Sequence, residues 1–408
     1  MLRNVLVAIA FACAAPAAAQ TELRLWHEMR GAPAVELEVL AARFNASQHD
    51  YHLVLTSTFA APHILFGEET FGARFAAHPA VRPLWQVMAE SGLSLEAKMI
   101  PAVAAYFSDA HGRLLALPLN GATPVLYYNR DAFRRAKLDP ARAPKTWYEM
   151  AEALGALVES GVACGYTTAR PAWVLFENMS AWHNESFATL KGNTASRLAF
   201  NRHLMVRWVA VLSSWQKSGY FTYAGREDEA ERRFASGECA VLTSSSASYA
   251  ELKRRADFDL GVAQFPYYDD FDGAPQNTLV SGAGLWALEG KTRNEYRGIA
   301  RFFAFLSRAD VQAEWQRKTG ALPFTLAAYE LARRQGLYAA SPGYEVGVRQ
   351  LLGKAPTATS RGIRLAELGL IRRIIDEELE SVWAGKKTPL EALDTAVARG
   401  NALLATQR

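Results

Sequence analysis

Two adjacent carboxylates, Glu68 and Glu69, follow a short apolar run in the stretch HILFGEET. The run has the composition of a buried β-strand. Ligands of α/β proteins bind beyond the carboxyl ends of such strands, where backbone donors and helix N-termini converge. Glu69 is therefore a candidate ligand-binding residue.

Hydroxyl groups also follow the end of a predicted strand. After the segment CAVLT, Ser244, Ser245 and Ser246 precede a helical stretch. Hydroxyls and N–H groups could bind an anion there, although a serine N-cap of the helix is the favoured explanation. Ser281 and Gly282 interrupt the stretch NTLVSGAGLW. At this point the backbone either approaches a ligand closely or makes a tight turn.

A guanidinium group on the apolar side of a helix is the third candidate. In LIRRIIDEELESVW, Arg372 shares its stripe with Ile375 and Leu379, and an unpaired charge in such a place is costly. A phosphate or carboxylate would satisfy the guanidinium through two parallel hydrogen bonds. The sequence leaves open whether that partner belongs to a ligand or to the protein.

The neighbouring Arg373 shares its helix face with acidic residues, which predicts weak surface ion pairs. The acidic residues on that face are Asp376, Glu377 and Glu380.

Aromatic rings near strand ends or helix starts could stack on a polyol or cover a cation. Most tryptophans lie in protein cores, so each of these is a candidate only. They are Trp26, Trp147, Trp173 and Trp182.

Complete catalytic motifs are absent from the sequence. It has no G-x-S-x-G nucleophile elbow, and GLWALEGKT has the wrong glycine spacing for a phosphate loop. His49 and His52 lie in a polar stretch that is typical of a solvated loop. We therefore predict a binding protein with no enzymatic activity, no cofactor and no metal site.

The length and the net charge of the chain indicate how many lobes it has and argue against a nucleic-acid partner. A chain of 408 residues exceeds the size of one hydrophobic core, so two lobes are expected. A net charge of +4 over this length does not indicate a nucleic-acid partner.

Residues 1–19 have the pattern of a signal peptide, with Ala17 and Ala19 at the cleavage positions. In an oxidising compartment Cys164 and Cys239 either pair or remain two buried thiols.

Short apolar runs alternate with amphipathic stretches along the rest of the chain, which predicts an α/β fold. Thr146 with Glu149 and Thr388 with Glu391 are predicted helix starts. Residues 293–319 are predicted as one long helix. The stretches through TPVLYYN and NTLVSGAGLWAL suit two crossings between intertwined lobes.

The chain resembles the periplasmic glycerol-phosphate-binding proteins of ABC importers, within the family 1 extracellular solute-binding proteins. The resemblance rests on LWHEM, TPVLYYNRDAF, ENMSAW, EWQRKTG and above all DEELESVWAGKKTPLEALDTAVARGN, and it covers nearly the whole mature chain. It implies a two-lobed fold that closes on its ligand about a hinge. The expected lobes are residues 20–121 with 276–322, and residues 122–275 with 323–408.

The resemblance also implies roles for single residues. Glu69 matches the carboxylate that accepts the glycerol hydroxyls, which leaves Glu68 facing solvent or a partner on the lobe surface. Four further positions match residues that surround the ligand in this family: Trp173, Ser245, Gly282 and Arg372.

Some family contacts are changed in this chain. A serine is replaced by Ala122, a tyrosine by Ala321 and a second cleft tryptophan by Arg170, and a helix-length segment before PHILF is missing. Because these changes remove bulk and add a cation, we expect a roomier and more basic pocket in which Arg170 contacts the ligand.

The function implied by the resemblance is capture of a small phosphorylated solute in the periplasm. The solute would be sn-glycerol-3-phosphate, a glycerophosphodiester or a related phosphorylated polyol, delivered by a monomeric receptor to the permease subunits in the inner membrane. The alternative is a receptor for a neutral sugar or oligosaccharide.

Overall fold

The structure is a computed structural model that describes residues 20–59, 61–67, 80–96, 98–109, 111–191, 194–365 and 367–406. The predicted signal peptide and the pair Glu68 and Glu69 lie outside these ranges. Within them, none of the helices combines the length and the apolar character needed to cross a membrane.

Two separate sheets form the centre of the described structure, and a short hairpin accompanies them. The strands are β1 Thr21–Trp26, β2 Tyr51–Thr56, β3 Ile64–Gly67, β4 Val81–Arg82, β5 Leu117–Ala122, β6 Pro124–Asn129, β7 Cys164–Thr168, β8 Ala188–Lys191, β9 Thr194–Leu198, β10 Cys239–Ser245, β11 Leu260–Ala263 and β12 Ser281–Leu288.

The first sheet has the order β2-β1-β3-β12-β4, and β5 pairs with β12. Its strands β1, β2 and β3 are parallel, whereas β12 runs antiparallel to its neighbours. The second sheet has the order β11-β6-β10-β7, with β10 parallel to β7 and antiparallel to β6. Because β12 comes late in the chain yet belongs to the first sheet, the two lobes are intertwined, and the predicted α/β fold is confirmed.

Helices cover both sheets. Their bounds are α1 Ala32–Ala46, α2 Leu84–Ser91, α3 Pro101–Phe107, α4 Arg130–Arg135, α5 Trp147–Glu159, a π-helical segment Ala172–Glu177 that continues as α6 Asn178–Trp182, α7 His203–Lys217, α8 Glu229–Ala235, a 3₁₀ turn Ser246–Ser248 that continues as α9 Tyr249–Arg255, α10 Arg293–Leu306, α11 Ala309–Thr319, α12 Leu326–Arg334, α13 Leu337–Ala340, α14 Gly343–Leu352, α15 Leu368–Trp383 and α16 Pro389–Ala405.

The predicted helix starts at Thr146 and Thr388 are confirmed. The Thr388 hydroxyl accepts a bond from the Glu391 amide and forms a complete capping box. Thr146 caps α5 in the same way, but the Glu149 carboxylate bonds to the amide of Lys145 and not to that of Thr146. The single helix predicted over residues 293–319 is wrong, because α10 ends at Leu306 and α11 begins at Ala309.

Buried polar side chains join the two crossings between the sheets. Thr123 lies between β5 and β6, and its hydroxyl lies 2.5 Å from that of Thr278 on the returning segment. The Gln350 amide donates to the Pro124 carbonyl at 2.8 Å and to the Thr278 hydroxyl at 2.7 Å. Because Thr123, Thr278 and Gln350 are all buried and bonded, the crossings hold a defined geometry.

Each sheet has its own apolar core. Leu25, Ile64 and Leu285 belong to the core of the first sheet, and Trp147 and Trp208 belong to that of the second. Helices α15 and α16 pack in the second core, whereas Phe324, Val348 and Leu351 pack in the first. The lobe boundaries at residues 121, 275 and 322 stay a prediction.

The open question about the cysteines is answered by the geometry of the second sheet. Cys164 on β7 lies directly opposite Cys239 on β10, and the two form a disulfide. The bond joins residues 75 positions apart and ties the edge strand β7 to the centre of the sheet.

We predict that the double variant Cys164→Ser/Cys239→Ser has a free energy of unfolding about 2–4 kcal/mol lower than wild type, because the open chain regains loop entropy when it unfolds. Urea denaturation measures the difference. Treatment of wild type with a reductant should reproduce it, while the reductant should leave the double variant unchanged. Equal stability of oxidised and reduced wild type would contradict the role given to this bond.

Candidate functional site

A cavity of about 680 Å³ opens between the two sheets, a volume typical of sites for small solutes. Both lobes line this cleft. The first sheet contributes Asn120, Ala122, Ser281 and Gly282, and the second lobe contributes Arg170, Ala172, Trp173, Arg226, Glu227, Glu231, Ser245, Ala247, Ser248, Glu251, Gly369, Arg372, Arg373 and Asp376.

Gly282 is required by the close approach of two strands. Its φ of +130° lies in a region that side chains rarely adopt, and a Cβ atom here would lie 1.7 Å from the Asn120 carbonyl oxygen. The contact partner is therefore the backbone of β5. The residue lines the cleft as predicted, and its glycine is explained by strand packing.

Ser245 lies at the carboxyl end of β10 and caps the 3₁₀ turn before α9. Its hydroxyl accepts a hydrogen bond from the Ala247 amide at 3.2 Å, which is the N-cap arrangement favoured by the sequence. The hydroxyls of Ser244 and Ser248 both donate to one oxygen of Glu231, at 2.5 and 2.7 Å. Of these serines, Ser245 and Ser248 line the cleft.

Arg170 and Trp173 reach the cleft from the start of the π-helical segment. Arg170 has a φ of +48°, and its amide donates to the Glu227 carbonyl at 3.0 Å. Its side chain is 41% exposed and lies 3.6 Å from a carboxylate oxygen of Glu231. Trp173 is 4% exposed, so only a small part of this mostly buried residue lines the cleft.

Arg372 forms a bidentate pair with Glu177. Its Nε and Nη2 atoms lie 2.5 and 2.8 Å from the two carboxylate oxygens, and the Glu177 side chain is only 3% exposed. The partner that the sequence left open is thus a protein carboxylate in this structure. The pair fixes the plane of the guanidinium at the cleft wall and ties α15 to the π-helical segment.

A second bidentate pair is formed by Glu380, which lies about two turns after Arg372 on α15. Arg226 donates to both oxygens of Glu380, at 2.7 and 2.6 Å. The hydrogen bonds from Arg226 hold the pKa of the Glu380 carboxyl below its ordinary value. Tyr223 also donates to Glu380 at 2.7 Å.

The surface ion pairs predicted for Arg373 are wrong. Arg373 is exposed, but Glu377 pairs with Arg399 and Glu380 pairs with Arg226. Asp376 is buried, with 8% of its surface exposed. These partners come from segments distant in sequence, which helical periodicity does not report.

Asp376 is the unusual group of the cleft. Its Oδ1 atom is buried and has no hydrogen-bond partner among the described residues. Burial raises the pKa of its carboxyl to about 7, and the charges of Glu380 and Glu227 act in the same direction, while the Ala172 amide and Arg226 oppose the shift. A carboxyl group that is half ionised near neutral pH therefore lines the cleft.

Five of the six predicted ligand residues line one cavity: Arg170, Trp173, Ser245, Gly282 and Arg372. Glu69, the sixth, lies outside the described residues. Their contact with a ligand stays a prediction.

The other predicted positions lie partly in the cleft and partly away from it. Ala122 lines the cleft, but Ala321 is fully buried in the core of the first sheet and is not among the lining residues. Trp147 and Trp182 are core residues of the second lobe. Trp26 donates to the Ser57 carbonyl at 3.2 Å, away from the cleft lining.

Sequence reasoning missed Glu177 and Arg226 and misplaced Asp376. Glu177 opens the motif ENMSAW, and a lone glutamate after the apolar run AWVLF gave no signal of its buried partner. For Asp376, the run of acids in DEELE is typical of a wet helix face. Among the described residues, no group of three or more His, Cys, Asp or Glu side chains could hold a metal ion.

Residues 35–344 match the family model of bacterial extracellular solute-binding proteins. The match spans more than half of the chain, so the chain belongs to this family. Its members are solute receptors without catalytic activity, which confirms the prediction of a binding protein.

A particular group within the family is close in sequence. The chain is 43% identical over 422 residues to the sn-glycerol-3-phosphate-binding periplasmic protein UgpB of Yersinia enterocolitica, and the alignment covers 98% of this chain and 96% of that one. The predicted resemblance to periplasmic binding proteins of this type is confirmed.

Solved structures agree on the fold. UgpB from Mycobacterium tuberculosis, in complex with glycerophosphocholine, has a TM-score of 0.78 at 20% identity, over 95% of this chain and 99% of that one. The cyclic α-maltosyl-1,6-maltose-binding protein of Arthrobacter globiformis has the same TM-score, identity and coverage. The fold is thus shared by receptors for different ligands and does not select one.

We predict that Arg372→Ala lowers the free energy of unfolding by about 3–5 kcal/mol, because it leaves the Glu177 carboxylate buried without its cation. Denaturant unfolding of Arg372→Ala, Glu177→Ala and the double variant forms a cycle. Its coupling energy should exceed about 1 kcal/mol.

The matched control for this cycle is Arg373→Ala, the adjacent exposed arginine of α15, which should change stability by less than about 0.5 kcal/mol. Additive effects of the Arg372 and Glu177 substitutions would contradict the pair.

We predict that Asp376→Asn makes the ligand-free protein more stable than wild type at pH 8. The unfolded carboxyl ionises near pH 4, whereas the folded one keeps its proton up to about pH 7. Wild type therefore loses stability relative to the variant as the pH rises between these values. In urea denaturation, the free energy of unfolding of the variant minus that of wild type should be about 1–3 kcal/mol larger at pH 8 than at pH 4. The same advantage at both pH values would contradict the shifted pKa.

Proposed function

We propose that this chain is the substrate-binding component of an ABC importer. It captures sn-glycerol-3-phosphate, a glycerophosphodiester or a related phosphorylated polyol in the periplasm and delivers it to the permease subunits of the inner membrane. It works as a monomer, and the ligand leaves the cleft chemically unchanged.

One observation carries the proposal. Trp173, Ser245, Gly282 and Arg372, the positions at which the chain matches ligand-surrounding residues of the glycerol-phosphate receptors, line a single cleft between the lobes. They come from three elements of the second lobe and one strand of the first. The relative from Yersinia, named for sn-glycerol-3-phosphate, supports the same ligand class at 43% identity.

Phosphate recognition is assigned to Arg372. A guanidinium carries five N–H donors in a fixed plane, and two of them bond to Glu177. The carboxylate therefore acts as a positioning group that orients the guanidinium before the ligand arrives, which reduces the entropy lost on binding.

Within this class, the cleft favours a ligand that is larger or more anionic than glycerol phosphate itself. Ala122 offers a methyl group where the resemblance has a serine, and Arg170 adds an exposed cation where it has a tryptophan. A lost hydroxyl costs about 1–3 kcal/mol if a ligand oxygen stays unpaired. A larger or more anionic phosphorylated polyol avoids that cost.

Closure of the two lobes follows from where the contacts lie. Gly282 belongs to the first sheet and Ser245 to the second, so a ligand that touches both lowers the free energy of the closed form relative to the open one. The closed form then docks on the permease.

A receptor for a neutral sugar is the second candidate, and a specific observation favours it. Arg170, Arg226 and Arg372 each have a protein carboxylate within ion-pair distance, so the cleft carries less excess positive charge than its arginines suggest. The maltosyl-binding structure also matches the fold as well as the glycerophosphocholine-bound one.

A thermal-shift screen with calorimetric titration separates the two candidates. We predict that sn-glycerol-3-phosphate or a glycerophosphodiester raises the melting temperature, because a ligand that binds only the native state stabilises it. Neutral sugars should leave it unchanged. The phosphorylated ligand should bind Arg372→Ala at least tenfold more weakly than wild type. Binding to Arg334→Ala, an exposed arginine of α12 outside the cleft lining, should be normal.

The opposite pattern, in which neutral sugars stabilise the protein and phosphorylated glycerols do not, would establish the sugar receptor instead.

A further inference from the structure

Asp376 is placed to touch a ligand, although neither sequence resemblance nor motif assigns it a role. It follows Arg372 by four residues on α15, so the two side chains lie one helical turn apart on the same face. Both line the cleft. Because only 8% of Asp376 is exposed, a ligand that reaches it must enter the cleft.

The carboxyl of Asp376 lacks the hydrogen bonds that a buried acid normally makes. Its Oδ1 atom has no partner in the part of the chain that the structure describes. By contrast Glu177, a buried carboxylate that pairs with Arg372, is bonded at both oxygens. Buried polar atoms are almost always bonded, so this oxygen is available to accept a hydrogen bond from a group that enters the cleft.

The surroundings of Asp376 suit a group that donates hydrogen bonds. Arg226 faces it but is held by both oxygens of Glu380, on the next turn of α15. Glu227, on the same loop as Arg226, adds a second negative charge, and the Ala172 amide supports the ionised form. An ionised acid among other acids attracts an O–H or N–H group and repels a phosphate.

We propose that Asp376 is a specificity-determining residue of the cleft that accepts a hydrogen bond from a hydroxyl or ammonium group of the ligand. This assignment rests on the proposed function, in which Arg372 faces the phosphate. Together the two residues distinguish the two ends of the ligand: the arginine selects the phosphoryl group, and the aspartate selects a donor next to it.

The cost of keeping this acid in the cleft agrees with a binding role. Burial disfavours its charged form, so the free protein would be more stable with a neutral side chain at pH 8. A residue that reduces stability and lines a cleft is typical of a functional site, where binding compensates for the loss.

The experiment uses glycerophosphodiesters, because a phosphomonoester has its own pKa near 6 and would obscure the titration of the protein. Calorimetric titrations compare wild type with Asp376→Asn at pH 6 and pH 8. Three probes separate the donor chemistries. All three carry the hydroxyls of the same glycerol end and differ at the other end: glycerophosphoglycerol has a second set of hydroxyls, glycerophosphoethanolamine has an N–H cation, and glycerophosphocholine has a cation without N–H groups.

At pH 8, Asp376→Asn should bind the preferred diester about 10- to 100-fold more weakly than wild type. The wild-type dissociation constant should rise about tenfold from pH 8 to pH 6, because a carboxyl with a pKa of about 7 is ionised in about a tenth of the molecules at pH 6. The variant should show a flat profile. Preference for the ethanolamine or the glycerol compound then identifies the donor as an ammonium or a hydroxyl of the variable end, whereas equal loss with all three compounds identifies it as a hydroxyl of the shared glycerol end.

Two results would overturn the assignment in different ways. If wild type binds a diester and Asp376→Asn binds it equally tightly with the same pH dependence, Asp376 is not a ligand contact and the proposed function stands. If wild type binds none of the diesters and no sn-glycerol-3-phosphate, the proposed function fails, and the role of Asp376 fails with it. Unfolding of the variant is excluded by its melting temperature, which should equal or exceed that of wild type at pH 8.

Discussion

The buried pair of Arg372 and Glu177 is the interaction on which the cleft depends. It joins α15 to the π-helical segment through two hydrogen bonds between charged groups, and both elements supply walls of the cavity. Charged groups this deep are tolerated only when they are paired. The geometry of the pair therefore determines where a guanidinium faces the cleft and also keeps the second lobe assembled on that side.

Around this pair the cleft is organised as a set of opposed charges. Arg226 is held by Glu380, and Arg170 lies near Glu231, which in turn accepts bonds from two serine hydroxyls. Such pairing restrains long side chains before the ligand binds. Asp376 differs from these paired groups, because burial disfavours its charge and its Oδ1 has no partner among the described residues. The proposed roles of Arg372 and Asp376 rest on this contrast between paired and unpaired groups.

The local features of the fold could be predicted from sequence, and the distant pairings could not. The start of α16 at Thr388 follows from a capping box, and the Ser245 cap follows from a serine between a strand and a helix. Both depend on neighbours within three residues. Glu177 lies 195 residues from its partner Arg372, and Arg226 lies 154 residues from Glu380. Helical periodicity placed Arg372 on an apolar stripe but could not name the acid that meets it. Gly282 shows the same limit, since only the tertiary approach of Asn120 reveals why no side chain fits.

A crystal structure of the protein with a bound phosphorylated glycerol compound tests the central claim most directly. The account predicts that the ligand lies in the cleft between the sheets, with its phosphoryl oxygens at hydrogen-bond distance from the guanidinium of Arg372 while Glu177 still holds the opposite side of that group. A ligand bound outside the cleft would contradict the account. A phosphoryl group that lies away from Arg372, while this arginine stays paired with Glu177, would also contradict it.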